Sequence, residues 1–239
     1  MSRFWVKSDQ VKANIPEESD YFVVFKKVTS PTNEHTLLAT ILPLVAANDS
    51  IHFVFFPENE SPQKKAVFLA NLNTMILDYI SRQKLGGLNF NFWVFEQLPI
   101  LSPEHYTPGV LDIIVPKVLE LTYTAWDLEP FARDVLNNIG EETWNRWFPE
   151  NPVSKMDQRI TPFRWDEERR AVLRAELDAI YAHLYSISRQ DLDYIVDTFP
   201  IVKRKDKEKY GTYRTKDLIL QYFDKYTGKF TSGEPSTIL

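Results

Sequence analysis

The sequence predicts an α+β protein: a mixed α/β domain over residues 1–107, a mainly α-helical domain over 108–227 and a flexible tail over 228–239. Three observations carry this reading. Short β-branched and aromatic stretches cluster before Pro57. Apolar residues recur at helical spacing through the second half. Gly, Ser, Thr and Pro dominate the last residues, a composition that frays.

In chain order, Tyr21–Phe25, Thr36–Leu42 and Ile51–Phe56 read as strands, each bounded by Asn, Asp, Ser or Pro. Ser61–Pro62 places an N-cap before a proline at the first helical position. Phe68, Leu72, Met75, Ile76 and Tyr79 then share one face, so a helix to about Gln83 is expected, ended by Gly86-Gly87. Asn89–Phe95 returns to strand alternation and stops at Leu98-Pro99. Val110–Trp126 predicts a helix kinked or broken at Pro116, and Asp127–Trp147 is less regular. Asp166, Glu167 and Glu168 open a helix where negative charge is favoured, with Leu173, Leu177, Ile180 and Leu184 as its apolar face. Ser188–Asp191 resembles a capping box before a short helix to Phe199-Pro200. A last helix carries Leu218, Ile219, Tyr222 and Phe223. The tryptophans Trp126, Trp144, Trp147 and Trp165 are expected to pack the helical half.

Composition excludes more than it assigns. There is no cysteine, so no disulfide, thiolate metal site or cysteine nucleophile exists, and a reducing cytoplasm fits. His35, His52, His105 and His183 lie too far apart for zinc ligands on one element. No apolar run is long enough to span a membrane, and no signal-peptide pattern opens the chain. Only seven glycines stand against an aromatic content of 14%. The net charge of −5 comes from the residues before Phe131; afterwards acids and bases balance. A basic run, Lys203, Arg204, Lys205, Lys207, Lys209, Arg214 and Lys216, is interleaved with Asp206, Glu208 and Asp217.

Common catalytic motifs are missing. There is no Gly-x-Gly-x-x-Gly, Walker loop, Gly-x-Ser-x-Gly or His-Glu-x-x-His. Asp206-Lys207-Glu208-Lys209 is the nearest approach to a nuclease set, but it lies in a solvated charge run. Glu17-Glu18 and Glu141-Glu142 diverge by about 100° on a helix, which fits a surface role.

Four stretches together resemble a known family: Val28–Thr36; Leu69–Gly87; Asn91–Leu101; and Phe163–Arg170 continuing through Ala175–Asp178 and Asp197–Arg204 to Tyr213–Lys216. They are similar to the C-terminal target-recognition region of large bacterial adenine-specific DNA methyltransferases of restriction–modification systems, of type IIG and type ISP kind. The resemblance runs from about residue 20 to 225. It implies a sequence-specific duplex-DNA recognition module in which an α/β unit reads bases and a helical part supports it. The implied partners are duplex DNA and a methyltransferase catalytic domain, in cis or in trans, with no membrane. The cofactor loop and the Asn-Pro-Pro-aromatic motif of such enzymes are absent, since Asn151-Pro152 is followed by Val153-Ser154. No cofactor is therefore expected in this chain, and S-adenosylmethionine belongs to the parent enzyme. The rival reading is a helical docking module that binds the methyltransferase core without touching DNA. An enzyme with an unrecognised site is a third, which a buried carboxylate pair would revive.

The DNA-contact candidates are Asn33, His35, Thr36, Arg82, Lys84, Gly86, Gly87, Asn89, Asn91, Lys203, Arg204, Lys205 and Lys207. Asn33, His35 and Thr36 lie before a strand, with His35 where the family pattern carries arginine. They can equally cap a turn. Arg82, Lys84, Gly86 and Gly87 can let a phosphate approach backbone N–H groups, or simply form a helix C-cap. Asn89 and Asn91 on a strand would turn both amides to one face, to read adenine edges or to meet solvent. The basic run can neutralise phosphates or merely solvate a helix.

Overall fold

The computed structural model describes residues 6–15 and 19–230. The fold is α+β, with an N-terminal three-stranded antiparallel sheet in the order β2-β1-β3 and a helical C-terminal region. A short helix, α1 (Ser8–Lys12), precedes β1 (Tyr21–Lys26), whose first five residues are all buried. An unbroken apolar run suits a central strand covered on both faces. β2 (Ala39–Pro43) pairs from Tyr21↔Pro43 to Phe25↔Ala39, and β3 (Ile51–Val54) from Val23↔Val54 to Lys26↔Ile51. Both outer strands are shorter than read. Thr36 and Leu37 give their N–H groups to the Asp78 carboxylate, which leaves them outside the ladder.

The helix read from Ser61 to Gln83 is two, α2 (Pro62–Leu72) and α3 (Met75–Lys84). Asn73 and Thr74 break it because the second helix has caps of its own. The Thr74 hydroxyl accepts from Leu77 N at 3.3 Å, and Asp178, more than a hundred residues on, accepts from Met75 N at 2.7 Å. The strand expected over Asn89–Phe95 is overturned: apart from one bridge, Val28↔Asn89, the chain turns into a short helix, α4 (Phe92–Phe95). Val94 N and Phe95 N fold back onto Asn91 O. Phe90 and Val94, four apart, point inward while Phe92 faces out, the spacing of a helical turn and not of a pleat.

The second half contains α5 (Pro108–Thr122), α6 (Glu129–Ile139), α7 (Glu141–Trp147), α8 (Glu167–Leu184), α9 (Arg189–Asp197), α10 (Pro200–Tyr210) and α11 (Arg214–Tyr226). α5 runs through Pro116 without a break. Two helix starts form as read: Asp166 accepts from Arg169 N at 2.9 Å, and Ser188 from Asp191 N at 3.1 Å. Arg214 and Lys216 of the basic run open α11, and its Lys203–Lys209 stretch is itself a helix, α10. It buries only Val202, so it carries no apolar periodicity to betray it.

The largest core joins Tyr21, Val23 and Ile41 of the sheet to Val67, Ile114, Phe131, Tyr181 and Tyr226, and so runs across residue 107. A second cluster ties α3 to α8, α9 and α11 through Ile76, Ala179, Leu192, Val196, Phe199 and Ile219. A third lies under α4, around Phe25, Leu37, Leu77 and Phe90. The tryptophan expectation holds for Trp144, fully buried, and for half-buried Trp147; Trp126 and Trp165 are exposed. The tail read over 228–239 lies, from residue 231, outside the described residues.

Candidate nucleic-acid interface

The candidate residues converge around one buried carboxylate, Asp78 on α3. Its Oδ1 accepts from Thr36 N at 2.8 Å and Leu37 N at 3.0 Å; its Oδ2 faces His35 Nδ1 at 3.1 Å and Arg82 at 3.5 Å. The Arg82 guanidinium donates to Glu34 O at 2.6 Å and Asn33 O at 3.1 Å, and lies 4.0 Å from the centre of the Phe199 ring. Residues 30–37 are thereby strapped to α3, and α3 to the start of α10. Lys205 of α10 closes the triangle by pairing with the Glu34 carboxylate.

From this hub the surface continues along the other side of the same loop. Thr29 N donates to Leu88 O at 2.9 Å, Val28 bridges Asn89, and Phe90 N donates to Lys27 O at 2.7 Å. Segments 30–36, 82–91 and 203–207, read separately in the sequence, thus form one strip across the molecule.

Not every candidate on the strip is available to a ligand. Thr36 is fully buried, its hydroxyl donating to Ser30 O and its carbonyl accepting from Thr29; this corrects its reading as a contact. Arg82 is corrected too, because its side chain is only 10% exposed and its Nη2 is held by Asp78 and two carbonyls with the guanidinium over Phe199, which fixes the loop and keeps the group from a phosphate outside. His35 is half-buried and turned toward Asp78. Asn89 and Asn91 share no strand face: Asn89 is exposed beside the bridge, whereas Asn91 precedes α4 and holds its first turn through its carbonyl. Asn33, Lys84, Gly86 and Gly87 are exposed. Gly86 is no C-cap either, since extended Leu85 ends α3.

The basic run is largely neutralised within the chain. Lys203 pairs with Asp197 at 2.9 Å, Arg204 with Glu208 at 3.8 Å, Arg214 with Glu168 at 2.6 Å, and Lys216 with Asp193 and Asp197 at 2.9 and 2.8 Å. The two lysines hold the Asp197 carboxyl below its ordinary value. Lys207 makes no ion pair among the described residues. Asp206 accepts from Thr215 N at 2.6 Å and so starts α11, which removes it from any nuclease-like set.

Sequence reasoning missed Asp78 and Asp178, the two buried acids that organise the region. Their signal was an acid within an otherwise apolar helical run, Met75–Ile80 and Leu177–Ile180. Burial pushes the Asp178 carboxyl up to about 7, against the lowering effect of Met75 N. Both acids cap or tether backbone, and among the described residues no group of three or more His, Asp or Glu could hold a metal. Nor is any described helix long and apolar enough to cross a membrane. Comparison with models of protein families, with curated proteins and with solved structures finds no match in any of the three.

Proposed function

We propose that the chain is a cytoplasmic duplex-DNA recognition module of an adenine-specific DNA methyltransferase or restriction enzyme, with catalysis and S-adenosylmethionine binding supplied outside it. The observation that supports this most is the strapping of residues 30–36, 82–91 and 203–207 into one strip by the Asp78–Arg82–Glu34–Lys205 contacts. Along it, Lys207, Lys84 and the ion-paired cations of α10 face solvent, suited to phosphate, beside the exposed amides of Asn33 and Asn89, suited to base edges. The purified chain should bind duplex DNA at low salt and lose it steeply toward physiological salt. Replacing Lys203, Arg204, Lys205 and Lys207 by Ser should flatten the salt slope by about one for each cation that touches phosphate. No binding at low salt would refute the reading.

The intramolecular ion pairs of α10 favour a second reading, in which this helix docks onto the methyltransferase core and DNA is not touched. The same four-serine variant separates the two. Lost docking with unchanged DNA affinity would support it.

A further inference from the structure

Gly86 and Gly87 follow α3 in a glycine-poor chain, and nothing inside the described molecule requires them. Neither has the positive φ found at Gly140, Gly211 and Gly228. A Cβ on either would meet no atom within 4 Å. Neither N–H donates to a backbone carbonyl among the described residues.

Beside them stand two large apolar side chains facing water, Leu88 at 65% exposure and Trp93 at 59%, and half-covered Phe92, whose ring packs against His52 at 4.3 Å. Clustered exposed apolar residues of this size mark a surface that meets something. The frame beneath is fixed by Thr29 N to Leu88 O, Phe90 N to Lys27 O and the buried Phe90 and Val94. Lys84 sits at one end and exposed Asn89 within the turn.

We propose that this turn is a DNA wedge: the phosphate backbone passes over Gly86-Gly87 while Leu88 and Trp93 press against unstacked bases. The proposal rests on the DNA-recognition reading above. Absent Cβ atoms let a phosphate oxygen come down onto the two unpaired backbone N–H groups, with Lys84 adding charge. Apolar side chains inserted at a base step unstack it, and an indole stacks on a base face of any sequence. A protein partner would cover the apolar side chains but would gain nothing from two glycines in open space. Continuity with the α10 strip, through Arg82 and Thr29, favours the same polyanion on both.

Because unstacking costs less at a defect, the chain should bind a duplex with a central bulge about tenfold more tightly than the matched duplex. Leu88→Ser/Trp93→Ser should lose that preference while retaining its Tm. Gly86→Ala/Gly87→Ala should weaken binding to both duplexes while Tm stays equal or rises, since no native contact opposes the methyl groups. Equal affinity of the native chain for bulged and matched duplexes would overturn the wedge and leave DNA recognition standing. No binding to either duplex would overturn both. Unchanged DNA binding by the Ser variant, with loss of the methyltransferase partner, would assign the patch to protein docking instead.

Discussion

Removing the Asp78 carboxylate should unfasten the loop that carries Asn33 and His35. Asp78→Ala strips the acceptor from two buried backbone donors, Thr36 N and Leu37 N, neither of which has room for water: Thr36 and Leu37 are at 0% and 1% exposure. Each buried donor left unpaired costs about 1–3 kcal/mol, so the variant should lose about 2–6 kcal/mol. Asp78→Asn keeps an oxygen for both N–H groups but offers an amide donor to Arg82, and should lose only about 1–2 kcal/mol. Urea unfolding followed by far-ultraviolet circular dichroism at pH 7 measures both. Asp78→Leu, close to Asn in size but without an acceptor, should fall with Ala and not with Asn, which separates the lost hydrogen bonds from lost packing. An Ala variant within about 0.5 kcal/mol of the native chain, or an Asn variant as damaged as Ala, would refute the hub.

Three further perturbations follow from single contacts. Asp178 has a folded-state value raised to about 7 from an ordinary 3.8, so the folded chain holds this proton more tightly than the unfolded chain. Its contribution to stability is full below about pH 4 and is lost as pH rises through about 7; Asp178→Asn should flatten that limb in unfolding measured from pH 4 to 8. Gly140 joins α6 to α7 with φ +80° and ψ 159°, so Gly140→Ala should cost about 1–3 kcal/mol by denaturant unfolding although a Cβ there meets no atom. Trp144→Ala should cost about 3–5 kcal/mol because the indole is fully buried and donates to Asn151 O at 3.1 Å, whereas exposed Trp126→Ala should change little.

The α+β class, the central strand and the long helices were legible because their signals are local. An unbroken apolar run made β1, and capping side chains at Asp166 and Ser188 started α8 and α9 where their sequences said they would. What was not legible depends on partners far along the chain. The Asn73–Thr74 break needs Asp178, and the late start of β2 needs Asp78. The turn at α4 repeats the error in another form. Asn-Phe-Asn-Phe alternates like a strand, yet Phe25 offers Phe95 a stacked ring at 4.4 Å and the cluster around Leu37 and Leu77 admits Phe90 and Val94 together. Of the site, the three segments could be named from residue type. That Arg82 serves the loop and not a ligand could not, because its function is set by carbonyls near residue 34.

The charge of this surface has a consequence for how it would meet DNA. A count of cations along Lys203–Lys216 overstates the attraction, since Lys203, Arg204, Lys205, Lys209, Arg214 and Lys216 already hold carboxylates. Most of these pairs are exposed, and exposed pairs are held by no more than about 1 kcal/mol each, so a phosphate can displace a carboxylate at little cost. Displacement still leaves the carboxylate behind, close to the polyanion. Glu34 is the sharpest instance: it sits on the loop that presents Asn33 and it holds Lys205. A phosphate that took Lys205 would leave Glu34 unpaired beside the backbone it must not touch. The same contact that assembles the strip therefore opposes indiscriminate binding to it. If the chain binds DNA as proposed, contacts elsewhere, at base edges by Asn33 and Asn89 or at the Gly86–Trp93 turn, would have to outweigh that repulsion before the complex is stable. On the proposed reading, an acidic chain with a paired basic helix would choose among DNA sites better than it would hold DNA at large.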